Sequence, residues 1–198
     1  ISIYPEHGEN LTELVKNADA AMYKAKNMGR NSYQFYSKNL TVKANERVVL
    51  GALIRNAIAK DQFTLFYQPK INLISKQVIG AEALLRWQHK GQTILPSKII
   101  HVAESSGFIE KVDAWVLNRA CLQIKEWEQS EKTIIPISIN ISGRLLGRNK
   151  ITDMLKHALY KYSLDPKWIE IEITENDLVS DHENTQKILE IIHGLGVK

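Results

Sequence analysis

Residues 78–87 read V-I-G-A-E-A-L-L-R-W, a stretch without proline that is apolar except at Glu82 and Arg86. In a β-strand, alternate side chains point to opposite faces, so Glu82 and Arg86 share a face with Gly80 and Leu84. A run this apolar predicts a strand that is buried on both faces, as in parallel sheets and barrels. Because a buried charge is costly without a partner, metal or ligand, the two charged residues indicate a functional role for their face.

Two later stretches show the same alternation. Residues 134–142 (I-I-P-I-S-I-N-I-S) and residues 169–175 (I-E-I-E-I-T-E) each place isoleucines on one face and mainly polar residues on the other. Near the C-terminal ends of the three predicted strands, the polar faces carry the oxygen-bearing side chains of Glu82, Asn140 and Glu172. In α/β barrels and open α/β sheets, functional sites are built at that end of the strands.

If the three strands are neighbours in one sheet, these oxygens converge, because adjacent strands lie about 4.8 Å apart. Two carboxylates and one amide form a hard, all-oxygen ligand set that suits Mg²⁺ or Mn²⁺. Arg86 lies about 13 Å beyond Glu82 on the same face, where its guanidinium could hold a phosphate. The alternative is structural: Glu82 and Arg86 pair inside a barrel, and Asn140 hydrogen-bonds a turn.

The composition is that of an ordinary globular protein. The 198 residues are 44% hydrophobic, and 26 basic against 22 acidic residues give a formal net charge of +4. Because the basic residues are spread along the chain, no nucleic acid polymer is predicted as a partner, although an anionic ligand is compatible with the charge. The single cysteine, Cys121, excludes an internal disulfide. No apolar run is long enough to span a membrane, so we expect a cytoplasmic protein, with no membrane contact from this chain.

The order of predicted elements indicates an α/β fold. Residues 63–72 alternate as a strand, and their short connection to residues 78–87 requires an antiparallel hairpin. From residue 134 onward, the order strand, helix, strand, helix implies parallel strands with right-handed crossovers. The other helical stripes are at residues 45–60, 97–106, 110–129, 152–162 and 183–193.

The first 36 residues follow a different pattern. They predict a short strand at residues 1–4, a helix capped by Asn10, and a short strand at residues 32–36. These elements cannot bury a core alone, so we expect residues 1–36 to be the end of another domain. Residues 37–45 are polar and are predicted to be a linker, either a hinge or the start of a connecting helix.

Part of this segment, A-D-A-A-M-Y-K-A-K-N-M-G-R-N-S-Y, resembles the C-terminal end of a GGDEF (diguanylate cyclase-type) domain. That resemblance implies that Lys26 and Arg30 approach nucleotide phosphates. The alternative for both residues is a basic helix end that interacts with its own helix dipole. The signature and the metal-binding aspartates of that family would lie upstream of Ile1.

The rest of the chain resembles the EAL-domain cyclic di-GMP phosphodiesterases. The resemblance rests on five motifs in the family's order and near its spacing: Y-Q-P-K-I (67–71), G-A-E-A-L-L-R-W-Q-H (80–89), A-E-S-S-G-F-I (103–109), I-N-I-S (139–142) and E-I-T-E (172–175). It implies that residues 46–198 are the N-terminal part of an EAL domain. The implied fold is an incomplete (β/α)₈ TIM-like barrel with an antiparallel first strand.

The resemblance also implies roles for individual residues. Three residues match metal ligands, namely Glu82, Asn140 and Glu172. Arg86 matches the residue that holds a substrate phosphate, and Gln68 matches a position beside the bound dinucleotide. Glu175 matches a glutamate that supports a nearby loop. The implied reaction is hydrolysis of cyclic di-GMP to linear pGpG by a water that Mg²⁺ or Mn²⁺ activates.

The end of the chain departs from the family pattern. The family's aspartate pair would begin shortly after Lys198, followed by a lysine and the later strands, so the catalytic residues are unknown from this sequence. We therefore expect a fragment of a tandem GGDEF–EAL protein, inactive by itself, whose complete form is a homodimer. Two alternatives stay open: an EAL domain that senses cyclic di-GMP without cleaving it, and a scaffold for protein partners.

Overall fold

The computed structural model describes residues 1–29, 31–146, 150–173 and 182–198. It contains two compact units, Ile1–Leu53 and Ile54–Lys198. In chain order, the helices and strands are α1 (Leu11–Asn27), α2 (Lys38–Ala59), β1 (Phe63–Ile71), β2 (Val78–His89), β3 (Gln92–Ile94), α3 (Pro96–Ser106), α4 (Ile109–Gln129), β4 (Ile137–Asn140), α5 (Gly143–Leu146), α6 (Lys150–Tyr162), β5 (Ile169–Glu172) and α7 (His182–Gly194). In the described ranges, no helix combines the length and apolar character needed to cross a bilayer.

In the first unit, α1 begins where the sequence predicts. Asn10 Oδ1 accepts a hydrogen bond from the Glu13 backbone N–H at 3.0 Å. Glu13 Oε2 in turn accepts from the Glu9 backbone N–H at 2.9 Å. The two bonds satisfy backbone donors that a helix start otherwise leaves without partners, which explains why the helix begins here.

The two short strands predicted in the first unit are wrong. The Ile1 N-terminal amine donates to Gln34 O at 2.7 Å, and Tyr36 N donates to Ile1 O at 2.8 Å. The two segments therefore lie side by side, but residues 4–7 already form a turn, so the pairing is too short for strands. α2 begins at Lys38, which makes the predicted linker helical from that residue onward.

The second unit is organised by a five-stranded mixed sheet. Its order is β1-β2-β4-β5, and the short β3 pairs with β2. β1 and β2 form an antiparallel hairpin, whereas β2, β4 and β5 are parallel. The predicted hairpin and the predicted parallel strands are thus confirmed. The described strands form an open sheet, and the barrel is incomplete.

The Asn72 side chain builds the turn of the hairpin. Asn72 Oδ1 accepts hydrogen bonds from the backbone N–H groups of Ile74 and Ser75 at 2.9 and 3.0 Å. Lys76 then adopts a left-handed backbone conformation with φ 59°. An Asx turn of this kind fixes the hairpin register, and the register decides which residues of β1 and β2 face each other.

The hydrophobic core lies between the sheet and helices α3, α4 and α6. The aromatic residues of β1 pack against α4: the ring centroids of Phe63 and Trp115 are 5.5 Å apart, and those of Tyr67 and Trp127 are 5.8 Å apart. Phe63 also meets Trp87 of β2 at 5.4 Å. These edge-to-face contacts join the hairpin to the longest helix of the second unit.

The prediction that β2 is buried on both faces is only half right. On its helix-packed face, Ala81, Ala83, Leu85 and Trp87 are at most 7% exposed. On the other face, Glu82, Leu84 and Arg86 are only half-buried. Helices α3 and α4 contact β2, whereas the residues of the second side are only partly buried. We call this second side the polar face.

Two predicted strands are shorter in the structure than in the sequence pattern. β4 begins at Ile137, because Pro136 has no N–H with which to extend the ladder, although its carbonyl oxygen accepts from Ala81 N at 2.9 Å. β5 ends at Glu172, and residues 174–175 lie outside the described residues. Beyond β5, Lys198 N donates to Ile169 O and Ile171 N donates to Lys198 O, which is the bond pattern of a parallel ladder.

Candidate active site

The strand register arranges the polar face in rows. The first row crosses four strands and contains Gln68, Glu82, Ser138 and Glu170. The second row, nearer the C-terminal ends of the parallel strands, contains Asn140 and Glu172. Side chains in neighbouring rows of one face lie within reach of each other, so the register alone brings the three predicted metal ligands together.

Glu82 and Asn140 are in direct contact. The Asn140 amide nitrogen donates a hydrogen bond to Glu82 Oε1 at 2.7 Å, across the parallel pair β2 and β4. The structural alternative from the sequence, an ion pair between Glu82 and Arg86, is not formed in the described part of the chain. Glu82 therefore points along the sheet toward β4.

Glu172 lies beside Asn140 in the register, but its carboxylate contacts another residue. Lys70 Nζ donates to Glu172 Oε1 at 2.6 Å and also to Ser138 Oγ. Glu170 Oε2 lies 3.5 Å from Lys70 Nζ and accepts a hydrogen bond from Ser138 Oγ at 2.8 Å. Burial lowers the pKa of the Lys70 ammonium, but the hydrogen bond to Glu172 and the two carboxylate charges outweigh it, so the net pKa shift is upward.

Arg86 lies on the same face as Glu82, as the alternation predicts, and Gln68 lies on the same face of the neighbouring strand. Arg86 lies four residues beyond Glu82, its guanidinium lies 5.5 Å from the centroid of the Phe66 ring, and Nη1 donates to Leu85 O at 2.8 Å. Gln68 lies opposite Glu82 and is exposed. Glu175 and Arg30 fall outside the described residues, so their predicted roles stay predictions.

The donor atoms fit a hard divalent cation as part of its coordination sphere. Glu82 and Glu172 supply carboxylate oxygens, and the amide oxygen of Asn140 is a neutral donor of the kind that Mg²⁺ and Mn²⁺ accept. Within the described ranges, no group of three or more His, Cys, Asp or Glu side chains is placed to hold a metal. The candidate set therefore consists of two acids and one amide, and a complete sphere needs further ligands.

A cavity of about 290 Å³ lies beside this set. Its walls include Asn140 and Glu172 on the sheet, and Asp113 on α4. Asp113 is 5% exposed and accepts a hydrogen bond from Ser142 Oγ at 2.5 Å. Burial raises the pKa of Asp113 to about 6, although its hydrogen bonds with the hydroxyl and the backbone of Ser142 act in the opposite direction. A buried acid thus lies close to the polar face.

Comparison with known families identifies the domain in which these residues lie. The model of the EAL domain matches residues 52–198. The chain belongs to the EAL domain family. Its match covers all five strands and the three candidate ligands, so the EAL-type fold predicted from the sequence motifs is confirmed.

Two relatives from Pseudomonas aeruginosa match the whole chain. Cyclic di-GMP phosphodiesterase NbdA of Pseudomonas aeruginosa is 36% identical over 198 residues, which are 100% of this chain and 25% of NbdA. The bifunctional diguanylate cyclase/cyclic di-GMP phosphodiesterase MucR of the same organism is 35% identical over 198 residues, again 100% of this chain and 29% of MucR. The chain thus spans between a quarter and a third of the length of these relatives.

The EAL fold is also shared with solved structures. The PaMucR phosphodiesterase, solved as a complex with c-di-GMP, superimposes with a TM-score of 0.70 at 33% identity. The match covers 75% of this chain and 60% of the solved one. This chain and a solved phosphodiesterase therefore share a fold.

The period of two already places Ser138 and Glu170 on the polar sides of their strands, but no role was predicted for them. Lys70 was missed as a member of the polar face. Lys70 lies within the motif Y-Q-P-K-I, but its contacts depend on the hairpin register. Asp113 was also missed, although it lies at helical spacing from Leu117 in the apolar stripe of α4.

Proposed function

We propose that the full-length protein that contains this chain is a phosphodiesterase that hydrolyses cyclic di-GMP to linear pGpG. The observation that supports this proposal most strongly is the contact between Glu82 and Asn140, with Glu172 next to Asn140, on one face of an EAL-family sheet. Two oxygen-rich side chains that meet at the C-terminal end of parallel strands are the starting point of a metal site. The relatives named as cyclic di-GMP phosphodiesterases supply the substrate class.

In this proposal, Glu82, Asn140 and Glu172 hold Mg²⁺ or Mn²⁺. A divalent cation bound there would supply Lewis acidity to a phosphoryl oxygen and lower the pKa of a water. The residues themselves fix the donor positions, because all three lie on strands of one hydrogen-bonded sheet. A rigid sheet costs little reorganisation when an anionic substrate enters.

The remaining predicted residues would bind or support the substrate. Arg86 would hold a phosphate of cyclic di-GMP through its planar fork of N–H donors, with Phe66 beneath the guanidinium. Gln68 would contact the dinucleotide from the opposite strand of the hairpin, and Glu175 would support a nearby loop. The family's aspartate pair and lysine would follow Lys198, so the chain by itself would be inactive.

The proposed organisation has three parts. Residues 1–36 would be the end of a GGDEF domain, residues 37–45 the linker, and residues 46–198 the first part of the EAL domain. MucR, whose name includes both diguanylate cyclase and phosphodiesterase, aligns with the chain from its first residue, which supports a GGDEF domain before residue 37. We further propose a homodimer and a cytoplasmic location for this part of the protein.

Hydrolysis in the presence of metal tests the proposal. Full-length protein incubated with cyclic di-GMP and Mg²⁺ or Mn²⁺ should release pGpG, detected by liquid chromatography. Glu82→Gln should slow the reaction by about a hundredfold or more, because a lost metal ligand removes several kcal/mol of charge stabilisation. Glu128→Gln, a change at an exposed residue of α4, is the matched control and should leave the rate unchanged.

Two outcomes would replace this function. If the wild-type protein binds cyclic di-GMP with metal but releases no pGpG, it is the non-catalytic sensor. If it neither binds nor cleaves the nucleotide, the phosphodiesterase and the sensor are both wrong, and the scaffold for protein partners is the remaining interpretation.

A further inference from the structure

Lys70 is the centre of a polar cluster whose other members lie on the first two rows of the polar face. Its ammonium group faces three oxygen acceptors from two other strands: Ser138 Oγ, Glu172 Oε1 at 2.6 Å and Glu170 Oε2 at 3.5 Å. An ammonium has three N–H donors, so these acceptors can use its whole hydrogen-bonding capacity. None of these contacts was part of the site predicted from the sequence.

We propose that Lys70 is a positioning residue that orients the Glu172 carboxylate toward the cation shared with Glu82 and Asn140. Lys70 engages Oε1 of Glu172, which leaves the second carboxylate oxygen as the metal donor. Mutation of a group that hydrogen-bonds a metal-ligating carboxylate typically lowers metal affinity or activity by about 10- to 100-fold. The inference rests on the metal site of the proposed function and adds a residue to it.

The glycine opposite Lys70 leaves room for the lysine side chain to reach its partners. In the hairpin register Lys70 lies opposite Gly80, so no side chain on β2 stands between Lys70 and the strands beyond. A Cβ at position 80 would lie 3.8 Å from Lys70 Cδ and 3.2 Å from the Pro136 carbonyl oxygen. The lysine stem therefore crosses β2 over a glycine and reaches β4 and β5.

The partners of Lys70 are themselves fixed. Ser138 is fully buried and donates to Glu170 Oε2 at 2.8 Å, so its oxygen is held in place between Lys70 and Glu170. Lys198 Nζ lies 4.0 Å from the other oxygen of Glu170. This network turns a flexible lysine into a fixed donor, since several charge-assisted bonds restrict its rotamers together.

Calorimetric titration of the full-length protein with Mn²⁺ tests the role of Lys70. Lys70→Met keeps the length of the stem but removes the charge and the donors, and should weaken Mn²⁺ binding by about tenfold or more. Lys70→Arg keeps the positive charge and the N–H donors, and its Mn²⁺ affinity should be within about threefold of that of the wild type. Lys132→Met, at an exposed residue after α4, is the charge-matched control and should not change the affinity.

A second readout separates positioning from general damage. At high Mn²⁺, the hydrolysis rate of Lys70→Met should recover toward the wild-type rate, because the lost affinity is restored by mass action. If Lys70→Met does not fold, Glu170→Gln serves instead: it weakens the anchor of Lys70 and should reduce Mn²⁺ affinity by a smaller factor, about threefold. The midpoint of thermal unfolding reports whether each variant is folded.

The result that would overturn the inference is a folded Lys70→Met protein, or a folded Glu170→Gln protein if the first does not fold, that binds Mn²⁺ as tightly as the wild type or more tightly. Equal affinity would mean that Lys70 does not position Glu172, and tighter binding would mean that Lys70 competes with the metal for its carboxylate. Failure of the proposed function gives a different result. In that case the wild type binds Mn²⁺ and Lys70→Met lowers the Mn²⁺ affinity, but the wild type releases no pGpG.

Discussion

The two faces of β2 have different tasks, although they alternate residue by residue. The helix-packed face buries Ala81, Ala83, Leu85 and Trp87 against helices and neighbouring aromatic rings. The polar face carries Glu82 and Arg86, half-buried and open to polar partners. Successive residues of a strand are about 3.3 Å apart, so the buried residues and the candidate site residues alternate along the sequence but lie on opposite sides of the sheet.

Because the two faces differ in burial, mutations on one face should affect stability and mutations on the other should affect binding. A truncation on the helix-packed face should lower the free energy of unfolding and leave the metal affinity of the folded protein unchanged. A change on the polar face should leave the free energy of unfolding nearly unchanged and should weaken the binding of metal or of substrate. One residue departs from the rule: Asp113 on α4 is a buried acid on the helix side of the sheet, with a hydrogen bond to Ser142 in the segment after β4.

Trp87→Ala should have the largest effect. Trp87 is fully buried, and its ring contacts Phe63 at 5.4 Å between centroids. Truncation of a buried tryptophan typically lowers the free energy of unfolding by about 3–5 kcal/mol. Urea unfolding of the domain that contains residue 87 measures the loss, and Gln88→Ala at the exposed neighbouring position is the control. An equal loss in the two variants would contradict the separation of the faces.

Asp113 should make stability depend on pH between about 4 and 6. Its folded-state pKa of about 6 lies above the ordinary value of 3.8, so the folded protein binds more protons in this window. Stability from this group is therefore present at low pH and is lost as the pH rises through 6, by about 2–3 kcal/mol at most. As the pH rises across this range, the free energy of unfolding measured in urea should fall more steeply in the wild type than in Asp113→Asn. Parallel pH profiles would contradict the prediction.

Arg86→Ala should weaken substrate binding and leave the fold intact. The loss of charge-assisted hydrogen bonds to a phosphate costs about 1.5–3 kcal/mol, which corresponds to a KM for cyclic di-GMP raised about 10- to 100-fold. Mn²⁺ affinity should stay the same, because Arg86 is not among the proposed metal ligands. Arg86→Lys, which keeps the charge without the planar fork, should fall between the two proteins. An unchanged KM would remove Arg86 from the substrate site.

The smallest effect is expected at the exposed edge of the same hairpin. Gln88 Nε2 donates to Thr93 Oγ1 at 2.6 Å between β2 and β3, in an exposed position. Thr93→Ala should change the free energy of unfolding by at most about 0.5 kcal/mol, because water replaces the lost partner. Both hydrolysis and Mn²⁺ affinity should match the wild type. A loss of either would mean that β3 contributes to the site.

Much of the fold was predictable because alternation and connection length act locally. The short link between β1 and β2 requires a hairpin, and the face that carries Glu82 follows from the period of two. The short strands predicted at residues 1–4 and 32–36 were wrong because an early turn limits their pairing. The extent of β4 was overestimated because Pro136 cannot donate to the ladder.

The site was only partly predictable, because some contacts depend on three-dimensional register. The approach of Glu82 and Asn140 follows from the assumption of neighbouring parallel strands. The position of Lys70 does not, since its reach to Glu172 needs the Asx turn at Asn72 and a glycine at position 80. The partners of a long side chain are the residues that the strand register places near it. The alternation of the sequence shows which face a side chain is on, but not which residues of other strands lie near it.

The central claim is that Glu82, Asn140 and Glu172 hold one divalent cation at the polar face. Electron paramagnetic resonance of Mn²⁺ added to the full-length protein counts bound ions directly, in the wild type and in the double variant Glu82→Gln, Glu172→Gln. We predict that the wild type binds Mn²⁺ and that the folded double variant loses at least one bound ion per chain. Equal numbers of bound Mn²⁺ ions in both proteins would contradict the account.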